Sequence, residues 1–464
     1  MKCRNWHGAK GTQEGECVKD RTSEQQPTLV PIKSAKQVGE VRGRWPWTEP
    51  SVWTERMLAA LERGVKGGKW FSLMDKVYSG SNLRSAFKRV KASRGGAGVD
   101  HETIARFEAN LDENLERLSQ GLRDGTYHPQ AIRRVYIPKA GTNEKRPLGI
   151  PTVRDRVAQA ALRQVLEPIF ERDFAEYSYG FRPGRSCKDA LRRVDALLKA
   201  GNCWVVDADL KGYFDTIPHE PLMELLREKV ADGPVLQLIE SYLKQRIMDS
   251  MKYWTPQRGS PQGAVISPLL SNIYLDRLDH MMAEYGIEMV RYADDFVLLC
   301  RSEADARDAL EQVRQWATNA SLTLHPDKTM VVNAAEAGGF DFLGYHFERG
   351  YRWVSDKSVK KLRTTLRSKT KRTNGLSLEV VIANVNRTTK GWYAYFKHSH
   401  FTAFRPLDGW IRMRLRSILR KRQKRRGRGR GKDHQRWPNA FFANEGLFSF
   451  VTAHKLDSQP PFGV

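Results

Sequence analysis

Two short stretches decide how this chain reads: MVRYADDFVLLC (289–300) and WVVDADL (204–210). In the first, apolar runs flank the pair Asp294 and Asp295, which predicts two β-strands joined by an acidic turn. In the second, a β-rich apolar run ends on Asp209. Aspartates set against buried strands carry a desolvation cost unless cations neutralise them. Divalent ions do so, and hard carboxylate oxygens suit Mg²⁺. An Asp-Asp pair is also a common polar turn. The apolar strands on both sides and the second acid-ended strand weigh against that reading. Three carboxylates on two strands suit a two-metal phosphoryl-transfer centre, in which one ion activates a hydroxyl and the other balances triphosphate charge.

Outward from this centre, composition sets the frame. The 464 residues are 40% hydrophobic and 10% aromatic, which suits two or three folded domains and excludes a disordered or collagen-like chain. The net charge is +25 and uneven: residues 351–464 hold 27 basic and 6 acidic residues, leaving a surplus of 4 for the first 350. Such asymmetry points to a polyanionic partner, nucleic acid before anionic membrane. No run of about 18 apolar residues predicts a membrane span, and the start of the chain lacks a secretory pattern. Five cysteines without a CxxC pair predict free thiols in a reducing cytoplasm and no structural zinc.

Residues 1–50 are polar and without periodicity, and read as a flexible leader. RGGAGVD (94–100) reads as a turn, since it lacks phosphate-loop spacing. Residues 103–122 read as one amphipathic helix. Residues 131–151 read as a hairpin carrying Lys139 and Arg146 on its two arms. Helices follow at 153–167, up to about 199, after the loop at 259, and at 304–319. Beyond 350 the texture becomes basic and helical. Ile411, Leu415 and Ile418 mark one helix, threaded with Arg412, Arg414, Arg416 and Arg420. KRQKRRGRGRGK (421–432) is a low-complexity basic segment.

These runs, taken in order, resemble the blocks of a bacterial group II intron reverse transcriptase. RYADDF resembles the catalytic hairpin of reverse transcriptases, and DADLKGYFD their first metal-binding strand. IPKAGTNEKRPLGIP, SYGFRPGRS, GSPQGAVISPLLSNIYLD, LTLHPDKT and FDFLGY follow the same order. The resemblance implies an α+β right-hand polymerase, with fingers and palm over 51–347. It implies Asp209, Asp294 and Asp295 as ligands of two Mg²⁺ ions, with Mn²⁺ able to substitute. Asp207 shares the face of Asp209 by strand alternation, but the family pattern selects 209. Phe214 takes the place of the aromatic that blocks a ribose 2′-OH. Lys139 and Arg146 correspond to contacts to the dNTP triphosphate, and Gln262 and Gly263 to the loop beneath the nucleotide. Lys328 corresponds to the lysine proposed to protonate pyrophosphate. Arg182 and Arg185 are assigned to template phosphates or to bracing the fingers.

NRTTKGWYAYF (386–396) and RWPNAFFANEGLFSF (436–450) resemble the maturase domain, which doubles as polymerase thumb, over 348–450 with a tail at 451–464. The excess of arginines there implies RNA contact through Arg412, Arg416, Arg420, Lys421, Arg422, Arg425 and Arg426. Without CxxC motifs, no zinc-supported endonuclease is expected. The implied activity is RNA-directed DNA synthesis with intron RNA as template and partner, a DNA primer or target, and dNTPs. It would serve splicing and retrohoming in a ribonucleoprotein particle of the bacterial cytoplasm. The competing readings are a domesticated reverse transcriptase of defence or diversity-generating type, and a maturase that only assists splicing.

Overall fold

The computed structural model describes residues 41–138, 145–250, 252–427 and 431–458. Its strands are β1 (Ile132–Pro138), β2 (Lys145–Ile150), β3 (Trp204–Asp209), β4 (Ile247–Asp249), β5 (Lys252–Trp254) and β6 (Glu288–Tyr292). They continue as β7 (Asp295–Cys300), β8 (Met330–Asn333), β9 (Phe340–Phe342), β10 (Tyr345–Glu348) and β11 (Tyr351–Val354). Three sheets result, ordered β2-β1-β4-β5, β6-β7-β3-β8 and β11-β10-β9.

The second sheet is the one expected as the palm, and it carries the aspartates singled out in the sequence. Its strands read as continuous apolar runs because both faces are covered. Val206, Ala208, Phe296 and Leu298 pack into one core with the helices Ser267–Glu284 and Glu303–Asn319. Val205, Val297 and Leu299 pack into another with the helix Cys187–Lys199 and strands β9 and β10. The register sets Val205 opposite Leu299 and Asp209 opposite Asp295. Opposed residues of an antiparallel pair share a face. Asp207, Asp209 and Asp295 therefore line one face, where the apolar cover ends.

The fingers are built on the helix Val153–Glu171, buried along most of its length. Thr152 caps it by accepting from the Asp155 amide at 3.1 Å, a cap that stabilises by about 1 kcal/mol. Trp53 donates its indole N–H to the Gln164 carbonyl at 3.0 Å, so order begins well before the fingers sheet. Residues 41–50, assigned to the leader from composition, pack as well. Arg42 pairs with Glu55 at 3.0 Å, Arg44 with Glu62 at 2.7 Å, and Thr48 is buried. Polar composition concealed side chains that satisfy each other. Residues 1–40 of that leader, and 459–464 of the tail, lie outside the described residues. The single helix expected over 103–122 is two, Ile104–Ala109 and Leu111–Arg123. Asn110 breaks it with φ −120° and ψ 44°, as a side chain that competes for backbone hydrogen bonds tends to.

The C-terminal helices Asp356–Lys369, Leu378–Phe396 and Phe404–Arg422 close on their own core of Leu366, Val385, Phe404, Leu415, Phe442 and Phe450. Buried Asp408 accepts from the Phe450 amide at 3.0 Å and the Ser449 hydroxyl at 2.7 Å, tying the last helix down. Tyrosines join this module to the palm. Tyr395 donates its hydroxyl to the Leu343 carbonyl at 2.8 Å, and Tyr345 donates to the Tyr395 carbonyl at 2.6 Å. Among the described residues, no helix is long and apolar enough to cross a membrane.

Candidate active site

Asp209 ends β3, and Asp294 and Asp295 sit in and just after the two-residue turn between β6 and β7. The first turn residue, Ala293, has φ +63°, a conformation that costs a non-glycine about 1–2 kcal/mol. Its surroundings hold it there. Arg291 is fully buried beneath the turn and donates to the Ala293 carbonyl at 2.8 Å. The same guanidinium grips Asp279 at 2.8 and 3.0 Å and Asn272 at 2.9 Å. Alongside, the segment 177–180 runs as an extra short strand: Arg291 N donates to Tyr177 O at 3.1 Å and Tyr179 N to Arg291 O at 2.8 Å. Gly180 completes the clamp. A Cβ there would lie 2.0 Å from the Ala293 nitrogen, so only glycine admits this backbone contact.

The carboxylates are crowded and desolvated. Burial, then the charges of Asp209 and Asp341, pushes Asp207 up to about 7. Burial, then Asp207, Asp294 and Asp209, likewise pushes Asp295 up to about 7, with Lys357 opposing. Burial raises Asp294 too; its own backbone amide, Arg146 and Arg291 work against that. Lys328 forms an ion pair with Asp209. Mutual repulsion of this kind is relieved by cations, and oxygen-only donors fit a hard divalent ion. Among the described residues no three acidic, His or Cys side chains close on one point tightly enough to hold an ion alone.

Of the expected nucleotide contacts, Arg146 is exposed on β2, opposite Ile137, with its charge acting on Asp294. Lys139 lies outside the described residues. Phe214 is buried to 8% exposure and packs edge-on against Phe181 at 6.5 Å and Tyr213 at 5.6 Å. Gln262 and Gly263 lie between palm and fingers: Gly149 N donates to Gln262 O at 2.6 Å, and Gly263 has φ +105°.

The chain matches the family description "Reverse transcriptase (RNA-dependent DNA polymerase)" over residues 137–347 and "Group II intron, maturase-specific domain" over 359–437. It is 32% identical to Protein YkfC of Escherichia coli (strain K12) over 348 residues, 66% of this chain and 86% of that one. It is 38% identical to the group II intron-encoded protein LtrA of Lactococcus lactis subsp. cremoris over 208 residues, 44% of this chain and 34% of LtrA. The chain belongs to the group II intron-encoded reverse transcriptase/maturase family. Its palm is that of an RNA-directed DNA polymerase, a class generally dependent on divalent metal, and its two domains imply RNA and DNA substrates. A chain of a solved Cas6-RT-Cas1–Cas2 complex is a looser likeness, 25% identical over 53% of this chain and 41% of that one, with a TM-score of 0.36.

Of the arginines assigned to nucleic acid, or for 182 and 185 to nucleic acid or bracing, Arg182 and Arg416 are buried and Arg185 and Arg420 half-buried. Arg182 is buried, donating to Glu171 at 2.9 and 3.1 Å and to the Ser178 carbonyl at 2.9 Å. It braces the 177–180 segment and offers nothing to a template. Half-buried Arg185 bonds the Glu176 carbonyl and lies 5.7 Å over the Tyr179 ring, a second brace. Arg416 is 2% exposed and donates to the Trp437 carbonyl and Asn439, each at 2.9 Å. Arg420 pairs with Asp433 at 2.7 Å and donates to the Arg426 carbonyl at 2.7 Å. Arg412 is half-buried, while Lys421, Arg422, Arg425 and Arg426 are exposed; Arg422 also bonds the Leu376 carbonyl. The sequence reading placed Asp207 beside Asp209 without selecting it, and passed over Asp279, Asn272, Gly180 and Arg291. A charged residue inside the apolar run before YADD was the signal for Arg291. Lys357, which opens a maturase helix and acts on Asp295, left no signal.

Proposed function

We propose that this chain copies RNA into DNA at Asp209, Asp294 and Asp295, and that it does so bound to its own intron RNA. The observation that carries the proposal is the meeting of these three carboxylates on the palm, with Arg146 facing Asp294 from the fingers. Asp209 and Asp294 would hold divalent ions, with Asp295 beside them; when bound, two Mg²⁺ ions supply an activated primer 3′-hydroxyl and neutralise triphosphate charge. Arg146, together with Lys139, orients the triphosphate of a dNTP through charge-assisted contacts. Phe214 closes the pocket where a 2′-hydroxyl would go. The backbone of Gln262–Gly263 forms the floor beneath the nucleotide. Lys328, paired with Asp209, would give a proton to pyrophosphate.

Residues 51–347 act as fingers and palm and 348–450 as thumb and maturase. Lys421, Arg422, Arg425 and Arg426, with Arg412 at the edge, hold intron RNA through its phosphates. The wider role is assistance to splicing and target-primed cDNA synthesis during retrohoming, within a ribonucleoprotein particle. The test is primer extension on an RNA template with Mg²⁺, beside an RNA-binding measurement. Asp294→Ala should abolish extension and leave RNA binding intact. A wild-type protein that fails to extend an annealed DNA primer would end the polymerase reading.

A further inference from the structure

A second surface lies at the far end of the palm from the carboxylates. β3 runs from Trp204 to Asp209, so its start lies roughly 17 Å from the catalytic end at about 3.3 Å per residue. There β10 and β11 form a hairpin turning at Arg349 (φ +52°) and Gly350 (φ +77°), with β11 at the sheet edge. Tyr351 is 55% exposed, and Phe401, on the loop after the helix Leu378–Phe396, is 62% exposed. Between them sits His400, its ring 5.0 Å from Tyr351, 4.4 Å from Trp353 and 4.6 Å from Phe401. The His400 amide donates to the Arg352 carbonyl at 2.7 Å, which fixes palm and maturase contributions as one platform. Exposed aromatics in such a row are not core filler, since neither outer ring is covered.

Two further features adjoin the row. A cavity of about 350 Å³ opens beside it, lined by Leu198, Lys199, Cys203, Phe347, Tyr351 and Arg352. His398, two residues before His400, has its imidazole pKa lowered by desolvation and then by the cations Arg352, Lys397, Lys188 and Arg192. Three of them also meet carboxylates: Arg352 meets Asp195 at 3.5 Å, Lys397 Asp457 at 3.3 Å and Arg192 Asp189 at 2.6 Å. The pairs of Arg192 and Lys397 are exposed and therefore weak, which leaves those cations open to phosphates.

We infer that this platform binds an unpaired RNA segment, with bases stacked on Tyr351 and Phe401, one base in the adjoining cavity, and phosphates on Lys188, Arg192 and Lys397. Stacking rings beside a cationic track are how single strands are held without sequence preference. The inference rests on the reading that the chain handles RNA, and it concerns a surface apart from the polymerase cleft.

The test uses the full chain with its cleft saturated by an annealed DNA primer on RNA template. A fluorescent, unstructured 12-nucleotide RNA containing 4-thiouridine is then titrated in. Both Tyr351 and Phe401 project from the core, so the double variant Tyr351→Ala/Phe401→Ala keeps the packed interior. Losing a stacked base costs about 1–3 kcal/mol, so losing two should lower affinity about thirtyfold or more, with primer extension unchanged. Ultraviolet crosslinks should map to 347–353 and 398–402. Unchanged affinity, crosslinks confined to 412–426, or a shift in sedimentation without a change in RNA affinity (a protein-binding surface) would each overturn the inference. Failure of wild-type extension would count against the polymerase reading alone, because the crosslinks remain readable.

Discussion

Arg291 offers the sharpest perturbation of the catalytic turn. It is fully buried, faces the 6%-exposed Asp279, and is the donor to the Ala293 carbonyl. Arg291→Met leaves Asp279 as a buried charge without its partner, which costs about 3–5 kcal/mol. That is a large share of the roughly 5–15 kcal/mol by which a folded protein is stable. At about 2–4 °C per kcal/mol for a domain of this size, the melting temperature should fall by roughly 6–20 °C. Adding Asp279→Leu removes the stranded carboxylate, and well-packed apolar replacements of buried pairs are often neutral. The double variant should therefore recover most of the melting temperature. It should not recover extension, because the Ala293 carbonyl still lacks its donor and the left-handed turn loses its support. Thermal denaturation and Mg²⁺-dependent primer extension on the three proteins decide the matter. A single variant melting within about 1 °C of wild type would refute the buried-pair reasoning. A double variant with restored extension would show that the turn needs no support from Arg291.

Gly180→Ala places a methyl 2.0 Å from the Ala293 nitrogen; a displacement of about 1 Å at the turn should cost extension about a hundredfold, measured as single-turnover rate. Asp207 and Asp295 are pushed up to about 7, so between pH 4 and 7 the folded chain holds protons that the unfolded chain has released. In chelator, stability should fall as pH rises through that window, and Mg²⁺ should flatten the fall; a melting temperature that climbs with pH in chelator contradicts the assignment. Arg416→Met should destabilise by about 2 kcal/mol or more through stranded acceptors. Arg425→Ser/Arg426→Ser should spare stability while lowering the salt slope of RNA binding by about 1.5, seen in filter binding across salt concentrations. Phe214→Val should relax exclusion of ribonucleotides by about tenfold or more, read from competing dNTP and NTP incorporation.

What the sequence made legible was the centre and its order. Aspartates closing apolar strands at 209 and 294–295 have few bland explanations, and strand alternation alone put Asp207 beside Asp209. The destination of arginines was far less legible. Arg182 and Arg416 look like Arg425 in sequence, yet Glu171 and the carbonyls of Ser178 and Trp437 absorb the first two. Nothing local announces such partners, because they come from other elements. Helical spacing did hold a hint: Arg416 lies between Leu415 and Ser417–Ile418, all buried, so a count of positive charge overstated the surface. The packing of residues 41–50 was hidden for the converse reason, since polar residues there satisfy each other.

The packing of Gly180 against Ala293 bears on how freely this polymerase can change. On the proposed function, reaction chemistry constrains the acidic side of the turn, and a backbone laid directly against it constrains the other. A saturation library across 177–182 and 290–296 should therefore be depleted at positions that touch no substrate. Variation that alters fidelity or processivity would then arise elsewhere, as on the maturase helices, where side chains rather than main chains meet.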